Sequence, residues 1–227
     1  NILSKVYKYY MKILAVQSRM GIGDTVIFLP FIKALSKKFN SPISILVKEN
    51  SKANQYLHQT SYIDKILILE RDNKTKNRHG SLFGIFNLAK DLKKYKFDKI
   101  FIFNSSLRFN IIARMSGIPK IYQYPLLTKN KQHITELPKK FLKANLNLDV
   151  DADPEVQIDN ESISKAAQEF EIDKNITNVL LGIGGSGPTK RIPAKIFLSL
   201  IEKMSDTKNC RFFLATGKEI EEQEILN

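Results

Sequence analysis

The chain has 227 residues, 43% hydrophobic and 26% charged, which is ordinary for a globular protein of one large or two small domains. No run of 18 or more apolar residues exists, which excludes a membrane-spanning helix, and a single cysteine, Cys210, excludes an intramolecular disulfide. The net charge of +13 is concentrated: residues 71–143 hold 17 Lys/Arg against 4 Asp/Glu, whereas residues 144–227 hold 9 against 15. A basic first part and a mildly acidic remainder point to an anionic partner for the first part or to a Lys-rich solvated surface.

In chain order, short β-type runs alternate with helical patterns. Lys12–Gln17 is a near-continuous apolar run, as in a strand buried on both faces. A glycine turn follows, and Asp24 is expected to open a helix to about Phe39, with Pro30 tolerated in its early turns. Ile43–Val47 and Lys65–Leu69 read as strands, Leu82–Leu92 as an amphipathic helix and Lys99–Phe103 as a fourth strand. Leu107–Met115 is expected to be helical, Ile121–Tyr124 a short strand, and His133 to about Leu146 a helix. This βαβα rhythm predicts an α/β fold with a parallel sheet covered on both faces.

Residues 147–160 are acidic and without a helical stripe, and they read as a domain boundary. Beyond them, Glu161–Phe170 is a bridging helix, Val179–Ile183 a strand, Pro193–Met204 a helix with Pro at its first position, and Arg211–Ala215 a strand in which Cys210 and its neighbours should be buried. The expected organisation is an extension at 1–10, a first Rossmann-like domain at 11–150, a linker with bridging helix at 151–175, and the start of a second such domain at 176–227. The first residue is not methionine and the last falls in a helical pattern, so both ends read as those of a fragment.

Ligands of open parallel sheets bind beyond the carboxyl ends of the strands. Three such loops stand out. In Arg19–Thr25, Gly21 and Gly23 allow a tight turn and close backbone approach, and Asp24 is either an N-cap or a functional carboxylate. In the second loop Gly184, Gly185, Ser186, Gly187, Thr189, Lys190 and Arg191 bring backbone N–H groups, hydroxyls and two cations to a helix start. That is an anion site suited to a diphosphate, or else a flexible turn with a solvated cation pair. In the third, Gly217 permits close approach and Glu219 either holds ribose hydroxyls or forms a capping box with Thr216. The histidines His58, His79 and His133 are dispersed, so no metal site is expected.

At these loops the sequence resembles the ADP-heptose:lipopolysaccharide heptosyltransferase family, glycosyltransferase family 9. Met11–Phe39 is similar to that family's opening strand, its G-x-G-D turn and its P-x-x-x-A-L helix. Phe97–Gly117 resembles its central strand and Arg-containing helix, and His133 lies where the family often has a histidine. Residues 184–193 (GGSGPTKRIP) and 216–219 (TGKE) resemble its donor-site segments, although Ile192 stands where the family has tryptophan and its later Gly-Thr-Pro turn is absent. The resemblance implies a GT-B architecture, two Rossmann-like parallel-sheet domains with the second incomplete here. It implies an inverting glycosyltransferase with Asp24 as general base and Lys190 neutralising the diphosphate leaving group, no metal or other cofactor, and a nucleotide-sugar donor, ADP-heptose in the first place. The implied acceptor is an anionic glycolipid, reached from the cytoplasm with peripheral contact at the inner membrane face. Two other readings stay open: a nucleotide-sugar-binding protein without turnover, and a nucleic-acid-binding protein acting through the basic part. The second lacks the aromatic-interleaved basic motifs of the usual modules, so no nucleic acid is expected.

Overall fold

The computed structural model describes residues 11–19, 21–71, 77–126, 133–184 and 192–215. They form two compact units, dividing after Asp159. The first unit holds a five-stranded sheet: β1 (Ile13–Val16), β2 (Ile43–Lys48), β3 (Ile63–Leu69), β4 (Lys99–Ile102) and β5 (Lys120–Gln123). All pairs are parallel and the order is β3-β2-β1-β4-β5. The apolar runs become strands because both sheet faces are covered. In β1, Ile13 and Ala15 join one core cluster and Leu14 and Val16 the other.

On the first face lie α1 (Ile22–Phe39) and α5 (Glu136–Leu146). Its centre is aromatic. Phe101, fully buried, stacks on Tyr122 with centroids 4.6 Å apart and meets Phe141 edge-on at 6.4 Å, with Phe39 tilted against it at 5.8 Å. On the second face, α3 (Phe83–Lys93) and α4 (Leu107–Met115) bury Leu88, Leu92, Phe109 and Ile112 against the even positions of β1 and β4. A 3-10 turn at Glu49–Ser51 and a one-turn helix α2 (Ala53–Tyr56), which lack any clear periodicity, join β2 to β3.

Several sequence expectations shift. The first helix opens at Ile22, not Asp24, so Pro30 falls mid-helix, where its missing N–H leaves a gap in the helical ladder. The last helix of the unit opens at Glu136. His133 precedes it in a turn, with its Nδ1 2.8 Å from the Thr135 hydroxyl. The acidic stretch after Asn147, whose αL conformation ends α5, packs on the first unit: Leu148, Val150 and Val156 lie against its core. Glu155 pairs with Lys33 at 2.7 Å, and Gln157 accepts the Ser61 N–H at 3.2 Å.

A buried histidine holds the turn before α3. The N–H of Glu70 donates to His79 Nδ1 at 3.0 Å, which makes Nε2 the protonated nitrogen, 3.4 Å from Asp91 Oδ2. Gly84 lies so close to this turn that a Cβ there would stand 2.4 Å from the His79 carbonyl carbon. Partial burial opposes the Asp91 charge, but hydrogen bonds from Lys94 and His79 and the charges of Arg78 and Lys94 outweigh it and hold the carboxyl below its ordinary value of 3.8. Because the folded-state value is depressed, this stabilisation is present above the unfolded value and is lost as pH falls through the folded one. Asp91→Asn is therefore expected to lower the unfolding free energy from urea titration at neutral pH by roughly 1 kcal/mol or less. The difference should shrink as pH falls below about 4; an equal gap at neutral and at acid pH would refute the pairing.

The second unit comprises α6 (Asn160–Glu169), β6 (Thr177–Gly182), α7 (Ala194–Ser205) and β7 (Cys210–Ala215). The two strands pair in parallel. Among the described residues its core is small: Leu181, Ile183 and Phe197, with Val179, Ile201 and Phe212 partly buried around them. Pro193 stands at the N-cap of α7 rather than inside it, and Cys210 opens β7 half-buried rather than fully buried.

Candidate functional site

The strand order reverses between β1 and β4, so the loops after these two strands flank a crevice at a topological switch point. The loop after β1 carries Gln17, Ser18, Arg19 and Gly21 into α1. Gly21 is the N-cap, with φ 103° and ψ 160°, a conformation open essentially to glycine alone. No side chain caps the helix, so Asp24 is not the capping residue; it lies in the first turn, its Oδ2 folded back to 3.6 Å from where a Gly21 Cβ would stand. The carboxylate is half-exposed and makes no hydrogen bond or ion pair among the described residues. The helix dipole favours its negative charge there. Gly23 is exposed, with nothing within 4 Å of a Cβ, which leaves the side of this turn open.

Buried Gln17, 3% exposed, clamps the loop by donating from Nε2 to the Asp24 carbonyl at 3.1 Å while its Oε1 accepts the Arg19 N–H at 2.9 Å. The Thr25 hydroxyl donates to the Gly21 carbonyl at 3.2 Å. The turn that places the Asp24 side chain is thus fixed from both ends.

A relay of amides binds the neighbouring loops together. Asn104 Nδ2 donates to the Ser18 hydroxyl oxygen at 2.7 Å and its Oδ1 accepts the Ser106 N–H at 2.7 Å. Gln123, at the end of β5, donates from Nε2 to the carbonyls of Asn104 (3.0 Å) and Ser106 (2.9 Å) and accepts from Asn110 at 2.9 Å. Arg114 Nε donates to Asn110 Oδ1 at 2.8 Å. Backbone partners fix the orientation of Asn104 and Gln123, and Arg114 fixes that of Asn110. Next in the chain, Tyr124 packs edge-on against Phe103 and Phe141, 6% exposed, its hydroxyl without a partner among the described residues. Burial pushes this phenol far above its ordinary range, against the opposing charge of Arg19.

Sequence reasoning singled out Gly21, Gly23 and Asp24 and missed Gln17, Ser18, Asn104 and Gln123. Their only signal is position, each at or within a residue of the carboxyl end of a predicted strand. In the second unit, Gly184 is exposed just beyond β6, on the loop leading toward α7. Gly185, Ser186, Gly187, Thr189, Lys190, Arg191, Gly217 and Glu219 lie outside the described residues. Arg108, in the Arg-containing helix of the resemblance, donates to the backbone carbonyls of His79 and, at 3.0 Å, Ser81. Among the described residues no group of three His, Cys, Asp or Glu side chains is placed to hold a metal ion, and no helix is long and apolar enough to cross a membrane.

Neither a protein-family model nor a curated protein matches the sequence. Solved structures do. The chain superposes on a glycosyl transferase family 9 protein from Veillonella parvula with a TM-score of 0.66 and 19% identity, over 92% of this chain and 71% of that one. It matches ADP-heptose lps heptosyltransferase II of E. coli with a TM-score of 0.69 and 16% identity, over 95% and 68% of the two chains. It also matches the E. coli heptosyltransferase WaaC with ADP, with a TM-score of 0.62 and 13% identity, over 95% and 70%. At these identities the likeness is one of fold: the chain has the α/β GT-B fold of these glycosyltransferases and spans about 70% of their length.

Proposed function

We propose that this protein is an inverting glycosyltransferase that moves a sugar, in the first place a heptose, from a nucleoside diphosphate donor to an anionic glycolipid acceptor of the lipopolysaccharide-core type. The observation that carries this reading is a half-exposed carboxylate, Asp24, without a partner among the described residues and held at the switch-point crevice of a fold shared with heptosyltransferases. Such a carboxylate suits a general base: its turn is clamped at both ends and no cation pairs with it among the described residues.

In the proposed reaction an acceptor hydroxyl gives its proton to the Asp24 carboxylate as its oxygen attacks the anomeric carbon. The bond from that carbon to the diphosphate breaks, the electron pair leaves on the nucleoside diphosphate, and the anomeric configuration inverts. In this reading Lys190 supplies a cation for the leaving charge, and Ser186, Thr189 and the glycine-rich segment supply hydrogen-bond donors. In the same reading Glu219 accepts hydrogen bonds from the nucleoside ribose. None of these steps requires a metal or other cofactor. An acceptor held in the inner leaflet puts the work at the cytoplasmic face of that membrane.

The test is release of nucleoside diphosphate from ADP-heptose by the purified protein with a Kdo–lipid A acceptor, alongside UDP-sugars and acceptor-free controls. Acceptor-dependent release with one nucleotide sugar is the expected result. Calorimetric binding of a nucleotide sugar with no release on any acceptor would leave a binding protein and end the catalytic reading.

A further inference from the structure

The first unit exposes apolar side chains that its core does not use. Leu82 and Phe83 are each 79% exposed and Phe86 is 59% exposed, all in or just before the first turn of α3. On α4, Leu107 is 54% and Ile111 37% exposed. The two groups are neighbours, because the Arg108 guanidinium, next to Leu107, is bonded to the carbonyl of Ser81, next to Leu82. Helical spacing places Phe83, Phe86, Lys90 and Lys93 along one outward stripe of α3, opposite the buried Gly84, Leu88 and Leu92. Leu107, Ile111 and Arg114 make a corresponding stripe on α4. Both helices follow strands of the parallel sheet, so the apolar residues of their first turns stand at the sheet's carboxyl end, the same end as Asp24.

Bulky side chains exposed this far in one patch mark a contact surface. Its chemistry is aromatic and aliphatic at the helix starts and cationic further along, and Lys90 and Lys93 have no ion-pair partner among the described residues. The surrounding segment, residues 71–143, holds 17 basic against 4 acidic residues. A second copy of this chain would bring the same positive field to the same patch and be repelled. A surface carrying phosphates above an acyl layer matches both halves: aromatic side chains enter the headgroup–acyl boundary and lysines meet the phosphates.

We propose that the start of α3, with the exposed stripe of α4 beside it, is a docking surface for an anionic lipid bilayer. The surface supplies the membrane contact in the reading above and rests on it only for the identity of the acceptor. Its test uses lipids that carry no glycan, so failure here leaves sugar transfer untouched and the reverse also holds.

The full chain is sedimented with sucrose-loaded vesicles of phosphatidylglycerol and phosphatidylcholine in equal parts, and with phosphatidylcholine alone, at low and high salt. Retention on the anionic vesicles, weakened by salt, is expected. The double variant Phe83→Ser, Phe86→Ser should bind them at least about tenfold more weakly, and Lys90→Glu, Lys93→Glu should lose roughly fivefold per lysine. Since all four side chains are exposed, circular dichroism should be unchanged in both variants. No retention of the parent protein, equal retention of the phenylalanine variant, or equal binding to the neutral vesicles overturns the proposal. A reversible dimer that Phe83→Ser dissociates, without lipid binding, overturns it in favour of a second copy.

Discussion

Asp24→Asn is expected to lower the turnover number by about 10²–10⁴-fold, the range a positioned general base supplies. Asparagine keeps the size and removes the basicity. The carboxylate makes no hydrogen bond or ion pair among the described residues, so little structure depends on it. The loss of its favourable interaction with the helix dipole costs about 0.3–1 kcal/mol, too little to unfold a domain. Nucleotide-sugar affinity, measured by calorimetry, should be unchanged, which separates a defect in proton transfer from a defect in binding. Gly21→Ala is the companion variant: a side chain at φ 103° strains the turn by of the order of 1–3 kcal/mol and should slow turnover by moving Asp24 rather than by removing it. If Asp24→Asn retains full turnover on the active substrate pair, the base lies elsewhere.

Phe101→Ala is expected to destabilise the protein by about 3–5 kcal/mol. Phe101 is fully buried, stacks on Tyr122 and is enclosed by Phe39 and Phe141, side chains from β5, α1 and α5. Three elements therefore lose contact with one side chain, and the surrounding rings are too rigid to close the void. Against a total stability of about 5–15 kcal/mol, this is a substantial fraction. Urea unfolding followed by circular dichroism measures it. A loss below about 1 kcal/mol, typical of surface positions rather than packed cores, would contradict the aromatic packing described.

Much of the first unit is legible in the sequence because its sheet is covered on both sides. Ile13–Val16, Ile43–Val47 and Lys99–Ile102 are almost uninterrupted apolar runs, and such runs have few alternatives to buried parallel strands. The edge strands are less clear. β3 starts at Ile63, two residues before the predicted strand, because Asp64 and Lys65 are exposed and break the apolar pattern, and Asp64 is held by the Ser44 hydroxyl at 3.0 Å, a contact with no local signature. An aspartate in a first turn looks like a cap, so the sequence places the start of α1 two residues late. The residue that turns the chain is Gly21, whose side-chain-free backbone marks the spot only once its φ is known.

The candidate site divides the same way. Gly21, Gly23 and Asp24 announce themselves by spacing. Gln17, Ser18, Asn104 and Gln123 are common polar residues whose roles depend on which strands lie side by side, and strand order is not written in local sequence. The exposed apolar start of α3 was likewise hidden. A helical period in Leu82–Leu92 shows that one face is apolar, but Leu82, Phe83 and Phe86 lie on the other side from Leu88 and Leu92, and only the packed fold tells the two apart.

Ser18 has a consequence for whatever enters the crevice. Its oxygen is already occupied as an acceptor, which pins the hydroxyl in space while leaving its hydrogen to rotate. An incoming oxygen atom therefore meets a donor whose position was settled during folding and whose direction is not, so recognition there can tolerate several approach angles without any loop having to move.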